Sequence, residues 1–353
     1  MTGLAHPPSW RTVWAGLSGG VDSAVAAARA LAAGLDVIGV TLRLGASPPG
    51  DDETCAAAAS VARALGITHR VLDVSEAFAE RVVGPFCSAY LAGRTPNPCV
   101  VCNEEIKFGA LLQAACAEGA DGLVTGHYAD VVTTPAGPRL ARGQDPAKDQ
   151  SYFLYRLTPE TLRHLWFPLS GARKDDVRAE GAHLGIPTHD RSESQDVCFL
   201  AGRDVSTFVR ERSQQTCPPG AIVDRAGREI GRHDGVCAFT VGQRKGIGIA
   251  AAEPLYVVKL DAEKAHVVVG PRDALAATTV MARDPVWYAD EPSATCEVRT
   301  RYRMTPVPAT ARLEADALVV CLAQPVEGAA PGQSVVCYNE DIVIGGGFIT
   351  EAG

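Results

Sequence analysis

The chain has 353 residues, 46% hydrophobic and 21% charged, with a net charge of −8. That balance belongs to an ordinary globular protein of two or three domains and excludes a disordered chain or a general nucleic-acid coat. No apolar run reaches the roughly 18 residues of a spanning helix, the N-terminus lacks the n- and h-regions of a secretory signal, and eleven scattered cysteines fit reduced thiols, so a cytoplasmic protein with no membrane partner is expected.

In chain order, "TVWAGLS" and "DVIGVTL" read as buried strands and "DSAVAAARALAAG" as a helix ending at Gly34. "ETCAAAASVARALG" is a second helix, "HRVLDV" a strand, "FGALLQAACAEG" a helix and "GLVTGHY" a strand with a glycine exit. Strands alternating with helices predict a doubly wound parallel sheet covered on both faces. The segment 133–150, rich in Pro, Gly and Asp, reads as a loop. After about residue 205 short strands alternate with Gly and Asp turns, and "EPLYVVKLDAEKAHVVVGP" reads as a hairpin of Leu255–Leu260 and His266–Val269. The expected organisation is an α/β nucleotide domain over 1–205, a small, mainly β connecting domain over 206–277 and a β-barrel over 278–353.

Between the first strand and first helix lies "GLSGGVDSA". Gly19 and Gly20 let the backbone turn tightly, the helix start offers free N–H groups and a positive dipole end, and Ser18 and Ser23 add hydroxyls, which together make an anion site. No Gly-Lys-Ser/Thr follows, so this is not a Walker loop. A plain glycine turn with an N-cap is the simpler alternative. The string resembles the pyrophosphate loop of the ATP pyrophosphatase superfamily, which implies ATP bound by Gly16, Leu17, Ser18, Gly19, Gly20, Val21, Asp22 and Ser23, with Asp22 helping to place Mg²⁺.

"RTPNPCVVCNEEIKF" carries Cys99 and Cys102 two residues apart. Most of the other cysteines, such as Cys55, Cys116, Cys321 and Cys337, lie in apolar helix or strand patterns and read as small hydrophobes. Cys102 instead follows a Pro-Asn-Pro turn. Structural zinc would need four ligands, and neither a second Cys-x-x-Cys nor a matching histidine pair is present. Cys198, in "RSESQDVCFLAG", has Ser192, Ser194, Gln195 and Asp196 before it and reads as a polar loop beside a site. An ATP loop with two such cysteines points to sulfur transfer.

Taken in order, "GLSGGVDS", "GRTPNPCVVCNEEIKF", "VTGHYAD", "KDQSYFL", "ESQDVCFL", "GRHDGVCAFTVGQRKGIGI" and "VRTRYR" resemble the bacterial tRNA-specific 2-thiouridylases over nearly the whole chain. The resemblance implies a tRNA-uridine 2-sulfurtransferase that uses ATP to thiolate C2 of the wobble uridine. It implies Cys102 as nucleophile, and Cys198 as the persulfide carrier that ends each turnover disulfide-linked to Cys102. Asn97, Pro98 and Cys99 would meet the target base, Leu42 and Gly126 the adenine nucleotide, and His127, Lys148, Asp149, Gln150, Arg301, Tyr302 and Gln333 the tRNA. The implied partners are tRNA with a wobble uridine and a persulfide sulfur-donor protein. Some relatives carry an acidic residue where this chain has Cys99. Cys99, Cys102 and Cys198 as ligands of an iron–sulfur cluster are the less favoured alternative. The persulfide route calls for a low-pKa thiolate at Cys198.

Simpler readings stand beside these. The arginines of 299–312 also suit a solvated strand face, although Tyr302 among them can stack on a base while guanidiniums hold phosphate. His127 also suits a capped core histidine. Two rival functions are an ATP-dependent amidotransferase or ligase, which would be indifferent to Cys102 and Cys198, and a non-enzymatic RNA chaperone.

Overall fold

The computed structural model describes residues 9–45, 48–187 and 197–353. It divides into two compact units, the first comprising 9–82, 99–199 and 341–343 within the described residues, the second 83–98, 200–340 and 344–353.

The first unit holds a parallel five-stranded sheet in the order Thr68–Asp73, Asp36–Arg43, Thr12–Gly16, Gly122–Val124, Leu165–Trp166. The alanine-rich helix Val21–Ala32 buries Ala24, Val25, Ala26, Ala27 and Ala30 against it, because small side chains let helix and sheet approach closely. The helix stops where Gly34 takes φ +85°, a conformation open to glycine. Chain order runs outward from Thr12–Gly16 to one edge, then returns to its other side at Gly122–Val124. The crevice at the carboxyl ends of those two strands is the switch point where such sheets bind ligands. The segment from 133 is not an open loop as the sequence suggests: Ala129–Thr134 and Gly137–Arg142 form an antiparallel hairpin. Its Pro and Gly sit in and beside the tight turn, where they mask the strand pattern.

In the second unit, a four-stranded sheet orders Tyr256–Asp261, His266–Gly270, Gly220–Val223 and Glu229–His233. Cys217, Ile222, Val257, Val267 and Val269 form its core. Cys217 and Cys237 stand at disulfide distance, with Cα atoms 6.1 Å apart; burial in one small core brings together two cysteines separated by 20 positions. The helix Gly84–Leu91 packs here too, with Tyr90 and Leu91 on that core and Phe86 6.2 Å from Phe208.

Six strands close a barrel in the order Ala276–Trp287, Ala317–Glu327, Val307–Glu314, Ser293–Arg299, Ser334–Asn339, Ile342–Ala352, the last pairing back on the first. Alternation fills it: Val280, Ala282, Val298, Ala309, Ala311, Leu318 and Val320 point inward. Among the described residues no helix is long and apolar enough to cross a membrane.

Candidate active site

At the switch point the "SGGVDS" loop closes on itself. The Ser18 N–H donates to Ser23 Oγ at 3.2 Å, and Ser23 Oγ donates to the Gly20 carbonyl at 2.9 Å. Gly19 has φ +73°, and a Cβ there would lie 2.6 Å from Ala57 Cβ, so both backbone and space require glycine. Leu17 is buried in the core; its N–H donates to the Val40 carbonyl and its carbonyl accepts from Thr41 Oγ1. Leu42 follows one residue on, at the carboxyl end of its strand. Val21 is buried, so only its backbone can face a ligand. What remains open is a cup of N–H groups at a helix start, suited to phosphate.

At Gly126 the packing leaves no room for a side chain. A Cβ there would meet Asp22 C and Ser23 N at 2.6 and 2.7 Å, so the glycine lets the exit of the strand Gly122–Val124 press on the start of the helix Val21–Ala32. His127 follows, half-buried, its Nδ1 2.9 Å from Thr125 Oγ1 and its ring against Phe108 and Phe167. Burial, then the charge of Lys107, holds its pKa well below the usual histidine value, so it is neutral near pH 7.

Asp22 does not wait for a metal. Lys174, 4% exposed, places Nζ 2.7 and 2.6 Å from its two oxygens, and the Tyr128 hydroxyl donates to Oδ1 at 2.8 Å. The Mg²⁺ expected at Asp22 does not fit this arrangement, because a fixed ammonium already holds the carboxylate. Sequence reasoning missed Lys174 and Tyr128. The available signal was a lysine opening the helix Lys174–His183, where the helix dipole disfavours a cation unless an anion faces it.

The "KDQ" residues turn largely inward. Asp149, 1% exposed, accepts from the N–H groups of Gly143 and Ser151 and from Ser151 Oγ. Gln150 is tied to Tyr128 through its own N–H and through Oε1. Lys148 is half-buried, its N–H on the Asp145 carbonyl. These bonds build the loop that leads into Tyr128 and Lys174, since Asp145 also accepts from the Lys174 N–H.

Cys99 and Cys102 lie on one helical stretch: an α-turn, Pro98–Val101, runs into a π-helix, Cys102–Ala110. Such i→i+5 turns are rare and concentrate at functional sites; here Lys107 falls five residues after Cys102. Cys198 sits in the turn whose Phe199 packs edge-on to Phe78 at 5.8 Å. The three thiols, all free, come within electrostatic reach of one another and of Lys107. Cys102 is buried, and burial pushes its pKa up to about 11, with Cys198 and Cys99 adding to the rise and Lys107 opposing it. Cys99 and Cys198 are exposed at the surface, yet the atoms packed around them raise their pKa by desolvation too, again against Lys107. The low-pKa thiolate expected at Cys198 is thus not found; desolvation by the surrounding protein disfavours its charge. Among the described residues no three His, Cys, Asp or Glu side chains are grouped so as to hold a metal ion. The polar residues before Cys198 at 192, 194, 195 and 196 lie outside the described residues.

In the second unit, Asn97 is 8% exposed and Pro98 is buried. The Gln333 side chain donates to the Thr95 carbonyl at 2.9 Å. Arg301, exposed, and half-buried Tyr302 occupy a turn after the strand Ser293–Arg299, and Arg301 lines a cavity of about 310 Å³ with Tyr256, Arg272 and Glu327. Arg299, on the strand face opposite inward-pointing Val298, is 8% exposed with its guanidinium 5.6 Å over the Tyr338 ring, and Arg312 pairs with Glu314. Arg301, Arg303 and Arg312 are exposed, the first two in this turn.

Three family models match the chain in succession: a tRNA methyl transferase HUP domain over 11–202, a tRNA methyl transferase PRC-barrel domain over 206–271 and an aminomethyltransferase beta-barrel domain over 277–349. The chain is 43% identical to the tRNA-specific 2-thiouridylase of Methylorubrum extorquens (strain PA1), covering 99% of this chain and 96% of that protein. It is also 43% identical to the enzyme of that name from Syntrophotalea carbinolica, covering 94% and 97%. A solved 4-thiouridine synthetase–RNA complex with bound ATP is 19% identical over 58% of this chain and 50% of that one, with a TM-score of 0.37, too slight a likeness to bear on function.

Proposed function

The chain belongs to the tRNA-specific 2-thiouridylase family, and on that premise we propose that it transfers sulfur to C2 of the wobble uridine of tRNA in an ATP-dependent reaction. The observation that carries this is the gathering of Cys102 and Cys198, far apart in sequence, around one lysine in the unit that holds the phosphate cup. An amidotransferase or ligase on the same cup would have no use for that gathering.

The cup of Gly16–Ser23 receives the triphosphate, with Leu42 and Gly126 beside the nucleotide. Attack of the uridine O2 on the α-phosphate forms adenylated uridine and releases pyrophosphate. A persulfide on Cys198, delivered by a donor protein, then attacks C2 through its terminal sulfur, and AMP departs with the C–O electron pair. The thiolate of Cys102 attacks Cys198 Sγ, the S–S bond breaks toward the uridine, and 2-thiouridine leaves as a Cys102–Cys198 disulfide forms. An external dithiol must reduce that disulfide before the next turnover. Lys107 favours each thiolate in this sequence. Lys174 holds Asp22 at the cup. Asn97, Pro98 and Cys99 take the base; His127, Lys148, Arg301 and Tyr302 take the tRNA, with Asp149 and Gln150 shaping the loop that presents Lys148.

The test replaces the two cysteines. Cys102→Ser and Cys198→Ser should each abolish 2-thiouridine formation yet retain tRNA-dependent pyrophosphate release, because neither thiol belongs to the cup. Normal thiouridine yield from either variant, measured by nucleoside mass spectrometry, would refute the persulfide route.

A further inference from the structure

We infer that the turn Pro331–Gln333 of the barrel is a clamp that positions the target-base segment, making Gln333 a positioning residue for thiolation and not only a tRNA contact. The inference rests on the sulfur-transfer reading above. Residues 94–97 have no helix or strand of their own, and Pro96 and Pro98 bring no N–H. The polar backbone groups here therefore need partners from elsewhere. One turn supplies both for Thr95. The Thr95 N–H donates to the Pro331 carbonyl at 2.8 Å, and the Thr95 carbonyl accepts from Gln333 Nε2 at 2.9 Å, across 238 positions of sequence. The same amide reaches the Pro96 carbonyl at 3.4 Å.

The clamp is itself fixed. Gly332 N–H donates to the Ile349 carbonyl at 2.8 Å, and Ile349 N–H donates to the Gln333 carbonyl at 2.7 Å. Ile349 is 1% exposed in the last barrel strand. Gly332 has φ +94°, and a Cβ on it would stand 2.8, 2.9 and 3.0 Å from Thr95 O, C and N. Those are backbone atoms, which cannot swing aside as a side chain can. The turn is therefore shaped around Thr95, and only glycine permits the fit. Just upstream, the Arg94 N–H is held by the Ala89 carbonyl at 2.9 Å, so two successive residues are fixed before the chain enters Asn97 and Pro98. A tRNA contact alone needs none of this: the side-chain amide would face outward and residue 332 would be indifferent.

The experiment uses the full chain with Gln333→Ala and Gly332→Ala, an unmodified tRNA transcript bearing a wobble uridine, ATP and a persulfide donor. Turnover at saturating tRNA and the Kd for tRNA are measured separately, together with hydrogen–deuterium exchange of the Thr95 amide. Both variants should lose turnover on the order of 10- to 100-fold, as expected for a base displaced by about 1 Å, with faster exchange at Thr95. Gly332→Ala should keep its tRNA Kd within about threefold, less than 1 kcal/mol. A raised Kd with wild-type turnover in Gln333→Ala, or wild-type turnover in Gly332→Ala, would overturn the clamp. Should Gly332→Ala fail to fold, Gln333→Ala decides alone. If the wild-type chain does not thiolate at all, the underlying reading fails instead; the clamp is then judged by Thr95 exchange, and unchanged protection in Gln333→Ala overturns it.

Discussion

The phosphate cup and the target-base segment reach their shapes by different means. From Ser18 to Ser23 the backbone turn is closed from within the loop, by Ser23, and Gly19 supplies the backbone conformation; only the Asp22 side chain is held from outside, by Lys174 and Tyr128. From Arg94 to Asn97 they come from the preceding helix and from a turn in the barrel. A turn closed by its own side chain needs only its own short string of residues to take its shape. A segment with two prolines and no partners of its own depends on the completed fold. Substitutions at the cup should therefore act locally and on adenylation, while substitutions away from it should act on the cysteines or the tRNA and spare ATP.

The largest effect should come from Asp22→Ala. It strands the Lys174 ammonium, 4% exposed, without its carboxylate, and uncompensated buried charges of this kind cost about 3–5 kcal/mol. Thermal unfolding should move several degrees lower, and tRNA-dependent pyrophosphate release should fall to background. Lys174→Met, which removes the buried charge, should cost less stability while still impairing release. Wild-type pyrophosphate release from Asp22→Ala would remove this carboxylate from the cup and erase the contrast.

Lys107→Met comes next and tests the cysteine side. With Cys102 pushed up to about 11, the thiolate is the minor form at neutral pH. Its alkylation by iodoacetamide should thus rise about tenfold per pH unit from pH 7 to 10, with no plateau. Removing the ammonium disfavours the thiolate further, so the profile moves to higher pH and alkylation at fixed pH slows by roughly two- to fivefold. ATP binding should not change. An unshifted profile would take Lys107 away from the thiols.

Arg301→Ala should weaken tRNA binding by a smaller factor and lower the slope of log K against log salt by about 1. The affinity for ATP, measured by calorimetry, should be that of the wild type. An unaltered salt slope would return Arg301 to an ordinary solvated turn. Smallest of all should be Cys99→Asp. Iron-free protein with this change should still thiolate tRNA from a persulfide donor, because the persulfide route uses two thiols. Activity confined to iron-loaded protein, variant and wild type alike, would favour a cluster instead.

The sequence by itself determined the cup, the parallel sheet and the hairpin of the central domain. Each rests on residues close together in the chain: glycines where the backbone turns, small residues where helix meets sheet, alternation along each strand. It also marked Cys102 and Cys198 as standing in polar settings unlike the other thiols. Motif resemblance then supplied their roles, which no spacing could give. Tertiary structure alone decided that Lys174 neutralises Asp22, that Gly126 is needed for the packing of strand exit on helix, and that Asp149 and Gln150 face inward. It alone paired Cys217 with Cys237 and set the Gln333 amide on Thr95. These are contacts between residues distant in the chain, whose partners are fixed only when sheet and barrel have closed. A buried lysine reads in sequence as one more surface charge, and a turn glycine as one more loop residue, until the atoms they face are in place.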